Sequence, residues 1–372
     1  MGVINFEIDV ATGRARVSRR ATFYAALVNI TIFSMMPLMV RINVWSHFWK
    51  EMNGFHEYVF LVAMCLRIVC VFVTMLNRWW ERQQIISLMG HFRRLVLKQP
   101  QVRKLWRRGV ISKFISGVLT ELMHVILALY GLRDSLNLGL TLSVVALYTL
   151  LALLNIILSQ YYFALLTIHG HYVLFNEELR SILAETQSIE LDHRIGVRNL
   201  RSCALADRMD SLAHLQAELQ TLIHRMTRIF GIQSLCMGII IYITLVGGIF
   251  YTFLIIRHDS ISIDLFRSDH LLLLVSIFCY LVDTHITFSI TYDLEDQHAA
   301  MRHLIVQNTS LSYDLDMRLQ ATFESFQLQL VRNPLKLTVM GLYNIHRGFI
   351  VAMFSSIVTN SLILIQYDIK NY

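Results

Sequence analysis

Residues Gly341 to Tyr367 read GLYNIHRGFIVAMFSSIVTNSLILIQY, with five residues behind them. From Phe349 to Tyr367 the stretch carries no charged side chain. At a rise of about 1.5 Å per residue it is long enough to cross a hydrocarbon layer roughly 30 Å thick, so it reads as a membrane-spanning helix.

One face of that helix differs from the rest. Gln366, Ile363, Thr359, Ser355, Ala352 and Gly348 recur at intervals of three and four, a small and polar stripe flanked by Phe354, Ile357, Leu364 and Ile365. Two readings fit this spacing. Small residues let helices pack closely. Alternatively the stripe lines a pore: a polar ring at Gln366, an apolar constriction at Ile363, a wider part at Thr359 and Ser355, and Asp368 just beyond, where a ring of carboxylates would concentrate cations. Spacing alone leaves both open.

Working outward, 55% of the chain is hydrophobic, 16% is charged and three residues are proline, a balance too apolar for an ordinary soluble domain of 372 residues. An all-α, polytopic membrane protein is expected. The first twenty residues are polar and end in Arg14, Arg16, Arg19 and Arg20, and the apolar run from Ala21 reads as a signal anchor without a cleavage site. Seven runs qualify as spans: about Ala21 to Val40, Tyr58 to Leu76, Ile111 to Tyr130, Leu138 to Gln160, Ile232 to Ile256, Leu271 to Ile290 and Phe349 to Tyr367. The third is interrupted by Lys113, Glu121 and His124.

Of the 33 Lys and Arg residues, 25 fall in the N-terminus and every second connection, and six in the alternate loops and the C-terminal tail. By the positive-inside rule the N-terminus is cytoplasmic and the C-terminus outside. The organisation expected is therefore a cytoplasmic N-terminus (1–20), spans one to four (21–160), a cytoplasmic helical extension (161–231), spans five and six (232–290), a second cytoplasmic segment (291–348), the last helix (349–367) and an extracellular tail (368–372). The net charge of +7 then belongs to inner loops beside anionic lipid rather than to a nucleic-acid surface.

The inner segments are themselves patterned. Leu205, Leu212, Leu215, Leu219, Leu222, Met226 and Ile229 recur at helical spacing, and the chain enters the fifth span with no proline to stop the helix, so that span is expected to extend into the cytoplasm. Tyr292 to His303 extends the sixth span, and Leu319, Phe323, Phe326 and Leu330 form a further amphipathic stretch before Asn333 and Pro334. Such faces are buried only against one another or against another subunit.

Arg67, Glu121 and His124 are the ionisable residues deepest in the spans, where a charge costs about 2.5 to 3.5 kcal/mol. They form either an Arg67 to Glu121 pair that tolerates burial or a ligand cavity open to the outside, with Tyr148 and Tyr251 as aromatic walls or as core packing. Asp283 and His285 are expected to anchor the inner end of the sixth span. His169 and His171, in the sequence HGH, lack a neighbouring acid or cysteine ligand, and no metal is expected there. Five cysteines show no metal spacing, and all but Cys203 lie in apolar runs, so no structural disulfide is expected. The chain shows no nucleotide-binding glycine loop, nucleophile elbow or HExxH helix, which argues against an enzyme, and no cofactor is expected.

The last helix supplies a resemblance. Thr359, Asn360, the apolar run Ser361 to Ile365, then Gln366 and Tyr367, close to the C-terminus, resemble the signature of insect gustatory receptors, with Asn360 and Tyr367 in place of the usual Tyr and Phe. The resemblance implies a seven-span, tastant-gated cation channel in the plasma membrane of chemosensory neurons. It further implies cytoplasmic helix extensions forming an anchor that joins four like or unlike subunits, and a break before the last helix near Pro334 to Arg347. On this reading Gln366 lines the filter and Ile363 is the apolar gate. A G-protein-coupled receptor would need the opposite orientation, and a transporter would usually show internal repeats, which the sequence does not display.

Overall fold

The computed structural model describes residues 6–8, 15–39, 54–131, 138–189, 195–258, 268–308 and 316–371. Within them the chain is helical almost throughout: α1 (Arg19–Met39), α2 (Gly54–Trp80), α3 (Arg82–Lys98), α4 (Val102–Gly131), α5 (Leu138–Ile189), α6 (Ile195–Ile229), α7 (Gly231–His258), α8 (Ser268–Asn308), α9 (Met317–Arg332) and α10 (Arg347–Asn371). Two short antiparallel hairpins complete it, β1 (Glu7–Ile8) with β2 (Ala15–Arg16) and β3 (Thr338–Val339) with β4 (Tyr343–Asn344).

Among the described residues five helical stretches are long and apolar enough to cross a membrane: Leu61–Trp80, Val102–Tyr130, Gly231–Leu254, Leu271–Gln307 and Arg347–Asn371. The two other expected spans correspond to α1 and the first part of α5, both helical. The expected outer loops at 41–53, 132–137 and 259–267 also lie outside them.

Several helices run far beyond the length a bilayer needs. At about 1.5 Å per residue the 52 residues of α5 span roughly 78 Å. Its second half packs with α6, the end of α8 and α9 into one apolar core. Tyr172, Phe175, Leu179 and Ile182 of α5 meet Leu219, Leu222 and Met226 of α6, Leu294, Met301 and Ile305 of α8, and Leu319, Phe323, Phe326 and Leu330 of α9. The periodic residues read from the sequence are thus buried against one another. Asp316 caps α9 by accepting a hydrogen bond from the Arg318 backbone N–H, and the helix stops at Asn333 because Pro334 disfavours a helical residue before it.

Two features depart from expectation. The passage from α6 into α7 is interrupted at Phe230, where a turn precedes Gly231. A Cβ at Gly231 would stand 3.1 Å from Met340 Cγ and 3.4 Å from the Met340 backbone nitrogen, so the glycine admits the tip of the β3–β4 hairpin. That tip places Met340 and Gly341 at φ of 51° and 75°, with Leu342 N donating to Val339 O, the pattern of a tight hairpin turn with two left-handed residues. The HGH sequence has a packing role: a Cβ at Gly170 would lie 2.9 Å from Val102 Cγ1, and His171 Nδ1 is hydrogen-bonded to Gln99 Oε1 at 2.8 Å. All five cysteines are free.

The strongest polar link in the bundle joins α4 to α8. Lys113 is 2% exposed, and its Nζ donates to both carboxylate oxygens of Asp283 and to Thr287 Oγ1, each at 2.8 Å. Ser116 Oγ donates to Asp283 Oδ1 at 2.6 Å, and Thr120 Oγ1 donates to the Cys279 carbonyl one turn away. Desolvating either charge alone is expensive, so the pair holds the two helices in register. Lys113→Met is expected to destabilise the protein by about 3 to 5 kcal/mol, because it leaves Asp283 buried and uncompensated, whereas Lys113→Met with Asp283→Leu recovers most of that loss. Thermal melting of the purified protein in detergent measures both.

Candidate functional site

Arg67 on α2, Glu121 and His124 on α4, and Tyr148 on α5 come together around one cavity of about 220 Å³, closed by Asn155 of α5, Thr244 of α7 and Tyr280 of α8. Helical spacing puts Glu121 and His124 on one face of α4. The fifth expected residue, Tyr251, belongs to α7, and its side chain lies outside the described residues.

Arg67 and Glu121 each meet a neutral partner. Arg67 Nη2 donates to Thr244 Oγ1 at 2.6 Å, and Asn155 Nδ2 donates to Glu121 Oε1. The His124 ring stacks on Tyr148, centroids 6.3 Å apart and planes at 21°, and tilts against Tyr280 at 5.8 Å. Glu121 Oε2 and His124 Nδ1 are buried and have no hydrogen-bond partner among the described residues. An unmatched buried polar atom costs about 1 to 3 kcal/mol, so the wall of this cavity is suited to a molecule that carries hydrogen-bonding groups. Sequence reasoning missed Asn155 and Thr244. Asn155 was within reach, because a lone amide in the run LALLNIIL needs a polar neighbour.

The last helix shows two faces. Ile350, Ile357, Ser361 and Asp368 are buried, and Ile357 packs with Ile241 and Leu245 of α7 and Tyr280 of α8. Tyr242 OH lies 3.0 Å from Ser356 Oγ and accepts from Asn360 Nδ2 at 2.5 Å, so the asparagine that departs from the family signature is occupied in tying α10 to α7. On the opposite face Ser355, Thr359, Ile363 and Gln366 are exposed. The Asp368 side chain is 3% exposed and accepts from Arg257 Nη1 at 2.7 Å, which balances its charge within the subunit.

A family model described as 7tm chemosensory receptor matches residues 1–371. Among curated relatives, Drosophila melanogaster gustatory receptor 59d is 37% identical over the whole chain and 95% of its own length. Gustatory receptor 36c of the same fly is 32% identical, covering 100% of this chain and 96% of that one. Among solved structures, the insect olfactory receptor OR5 from Machilis hrabei superposes with a TM-score of 0.63 at 11% identity, covering 94% of this chain and 90% of that one, a likeness of fold. The same receptor in complex with eugenol gives a TM-score of 0.58 at 12% identity, with the same coverage.

The hydroxyl of Tyr242 serves two α10 side chains at once. Tyr242→Phe is expected to lower stability by about 1 kcal/mol, read as a lower melting temperature in detergent, while Ser355→Ala on the exposed face changes it by less than about 0.5 kcal/mol.

Proposed function

Because the chain belongs to the 7tm chemosensory receptor family and is a multi-pass membrane protein of chemosensory cells rather than an enzyme, we propose that it is a gustatory receptor subunit: a tastant-gated, non-selective cation channel assembled as a homo- or hetero-tetramer. One observation carries the reading. Gln366, Thr359 and Ser355 are exposed on a helix apolar enough to cross a membrane, on the side away from the rest of the subunit. An amide facing hydrocarbon needs water or a partner, and a central pore shared by several subunits supplies water along that whole stripe.

In this arrangement the seven spans are α1, α2, α4, the first part of α5, α7, α8 and α10. The N-terminus is cytoplasmic, and the helical extensions at 161–231 and 291–348 form the anchor. Gln366 lines the filter, Ile363 is the apolar gate that dewets when closed, and Thr359 and Ser355 line the wider vestibule. The cavity around Arg67, Glu121, His124 and Tyr148 takes a small tastant with hydrogen-bonding groups, possessing a donor for Glu121 Oε2. Gating follows from higher affinity for the open state, since a ligand shifts a conformational equilibrium only by its differential affinity. The tastant is assigned to the bitter compounds, from the departure of Asn360, Ser361 and Tyr367 from the family signature.

Whole-cell recording tests this reading, with the chain expressed alone and beside related subunits, without G-protein signalling. A ligand-evoked cation current is expected, with altered ion selectivity in Gln366→Ala and a raised resting leak in Ile363→Ala. Glu121→Gln is expected to shift the activating concentration upward by about tenfold, the equivalent of one charged hydrogen bond. Surface-expressed protein that passes no current in either setting overturns the channel, and a current indifferent to both α10 substitutions returns the stripe to simple helix packing. An N-terminal tag is expected to be accessible only from the cytoplasm, and Asn308 in its N-x-S pattern to carry no glycan.

A further inference from the structure

A second cavity among the described residues exceeds the one around Arg67. A space of about 470 Å³ lies between the first half of α7, the middle of α8, the β3–β4 hairpin and the start of α10. Among the described residues none that lines it is charged, and most of its wall is aliphatic or aromatic, with Met237, Phe288, Phe349 and Met353 prominent. Its volume falls within the range of about 300 to 1,000 Å³ common for small-molecule sites.

Two tyrosines give this space a polar pole. Tyr161 of α5 is 8% exposed, and neither its hydroxyl nor that of Tyr343 in β4 forms a hydrogen bond among the described residues. Both residues line the cavity, and a Cβ added at Gly238 would sit 3.5 Å from the Tyr343 hydroxyl, which places that group at the α7 wall. Tyr343 is half-buried, and a tyrosine hydroxyl at an apolar wall ordinarily finds a partner, so the pair is suited to one polar head group.

We propose that this cavity is a second binding site, for a small uncharged amphiphile with a single hydroxyl-type head at Tyr161 and Tyr343 and an apolar tail along Met237, Phe288, Phe349 and Met353. The site reaches both the first pocket and the last helix. Met237 and Ile243 line both cavities, and Tyr242, a wall of this one, carries the hydrogen bonds to Ser356 and Asn360. An occupant therefore touches the link between α7 and α10 directly. The assignment is independent of channel activity, because binding is what the test reads.

The probe is decan-1-ol bearing a diazirine near the end of its tail, photolysed with the purified full-length protein in detergent and mapped by peptide mass spectrometry. Adducts are expected in 234–243 and 343–353, reduced at least about tenfold by Gly238→Leu or by Met353→Trp, each of which fills the cavity from a different wall. Tyr161→Phe with Tyr343→Phe is expected to raise the half-saturating probe concentration by about tenfold. Excess unlabelled decanol should compete, and a two-chain phosphatidylcholine should not. Only variants that elute as the wild type does on size exclusion are scored, and the two filling variants serve as mutual substitutes. Adducts confined to outward residues such as Phe114 and Phe278, or labelling indifferent to the filling variants, overturns the proposal, as does equal competition by phosphatidylcholine, which assigns the space to a lipid chain.

Discussion

A full positive charge in an apolar bundle must be neutralised on the spot, and Lys113 meets that demand with Asp283 and Thr287, while the neighbouring Ser116 donates to the same carboxylate. The geometry fixes more than a local contact. Asp283 lies one turn from Tyr280, a wall of the Arg67 cavity, and Thr287 is itself a wall of the larger apolar cavity. The pair thus sets the distance and rotation between α4 and α8 at the level where the two cavities meet. Replacing it with apolar residues would be tolerable energetically, but it would remove the directional constraint that four aligned hydrogen bonds impose.

The same accounting organises the last helix. Its polar side chains divide between those with partners inside the subunit and those without. Asn360, Ser356, Ser361 and Asp368 are matched by Tyr242, the Val246 carbonyl and Arg257. Ser355, Thr359 and Gln366 are turned away from the bundle. Thr359 satisfies its hydroxyl on the Ser355 carbonyl four residues back, the local solution a helix offers a hydroxyl.

What the sequence disclosed depended on range. Hydrophobic run lengths gave the helices, and three- and four-residue spacing gave both the buried faces of α6 and α9 and the two faces of α10, because these are properties of one helix at a time. The cost of an ionisable group in a span also pointed to Arg67, Glu121 and His124, which the fold brings together with Tyr148. Pairings between helices were not legible. Lys113 and Asp283 are 170 residues apart, and Asp283 reads from the sequence as a helix-end anchor. Arg67 and Glu121 looked like natural partners by charge, and the neutral side chains that they also meet, Thr244 and Asn155, come from two further helices. The approach of Met340, from a hairpin more than a hundred residues on, to Gly231 was equally out of reach.

The unbroken run of α5 has a mechanical side. Tyr148 stands at the rim of one cavity, and Leu179 sits in the apolar core 31 positions further on, a separation of roughly 46 Å along a single helix axis. A helix of this kind behaves as a stiff rod with only gentle curvature. Pivoted near the cavity, a tilt of about 5° carries its far end sideways by roughly 4 Å, close to the width of a methyl group packed in that core. A small tilt of such a helix at the cavity would therefore reach the core as a displacement that tight packing has to answer by repacking.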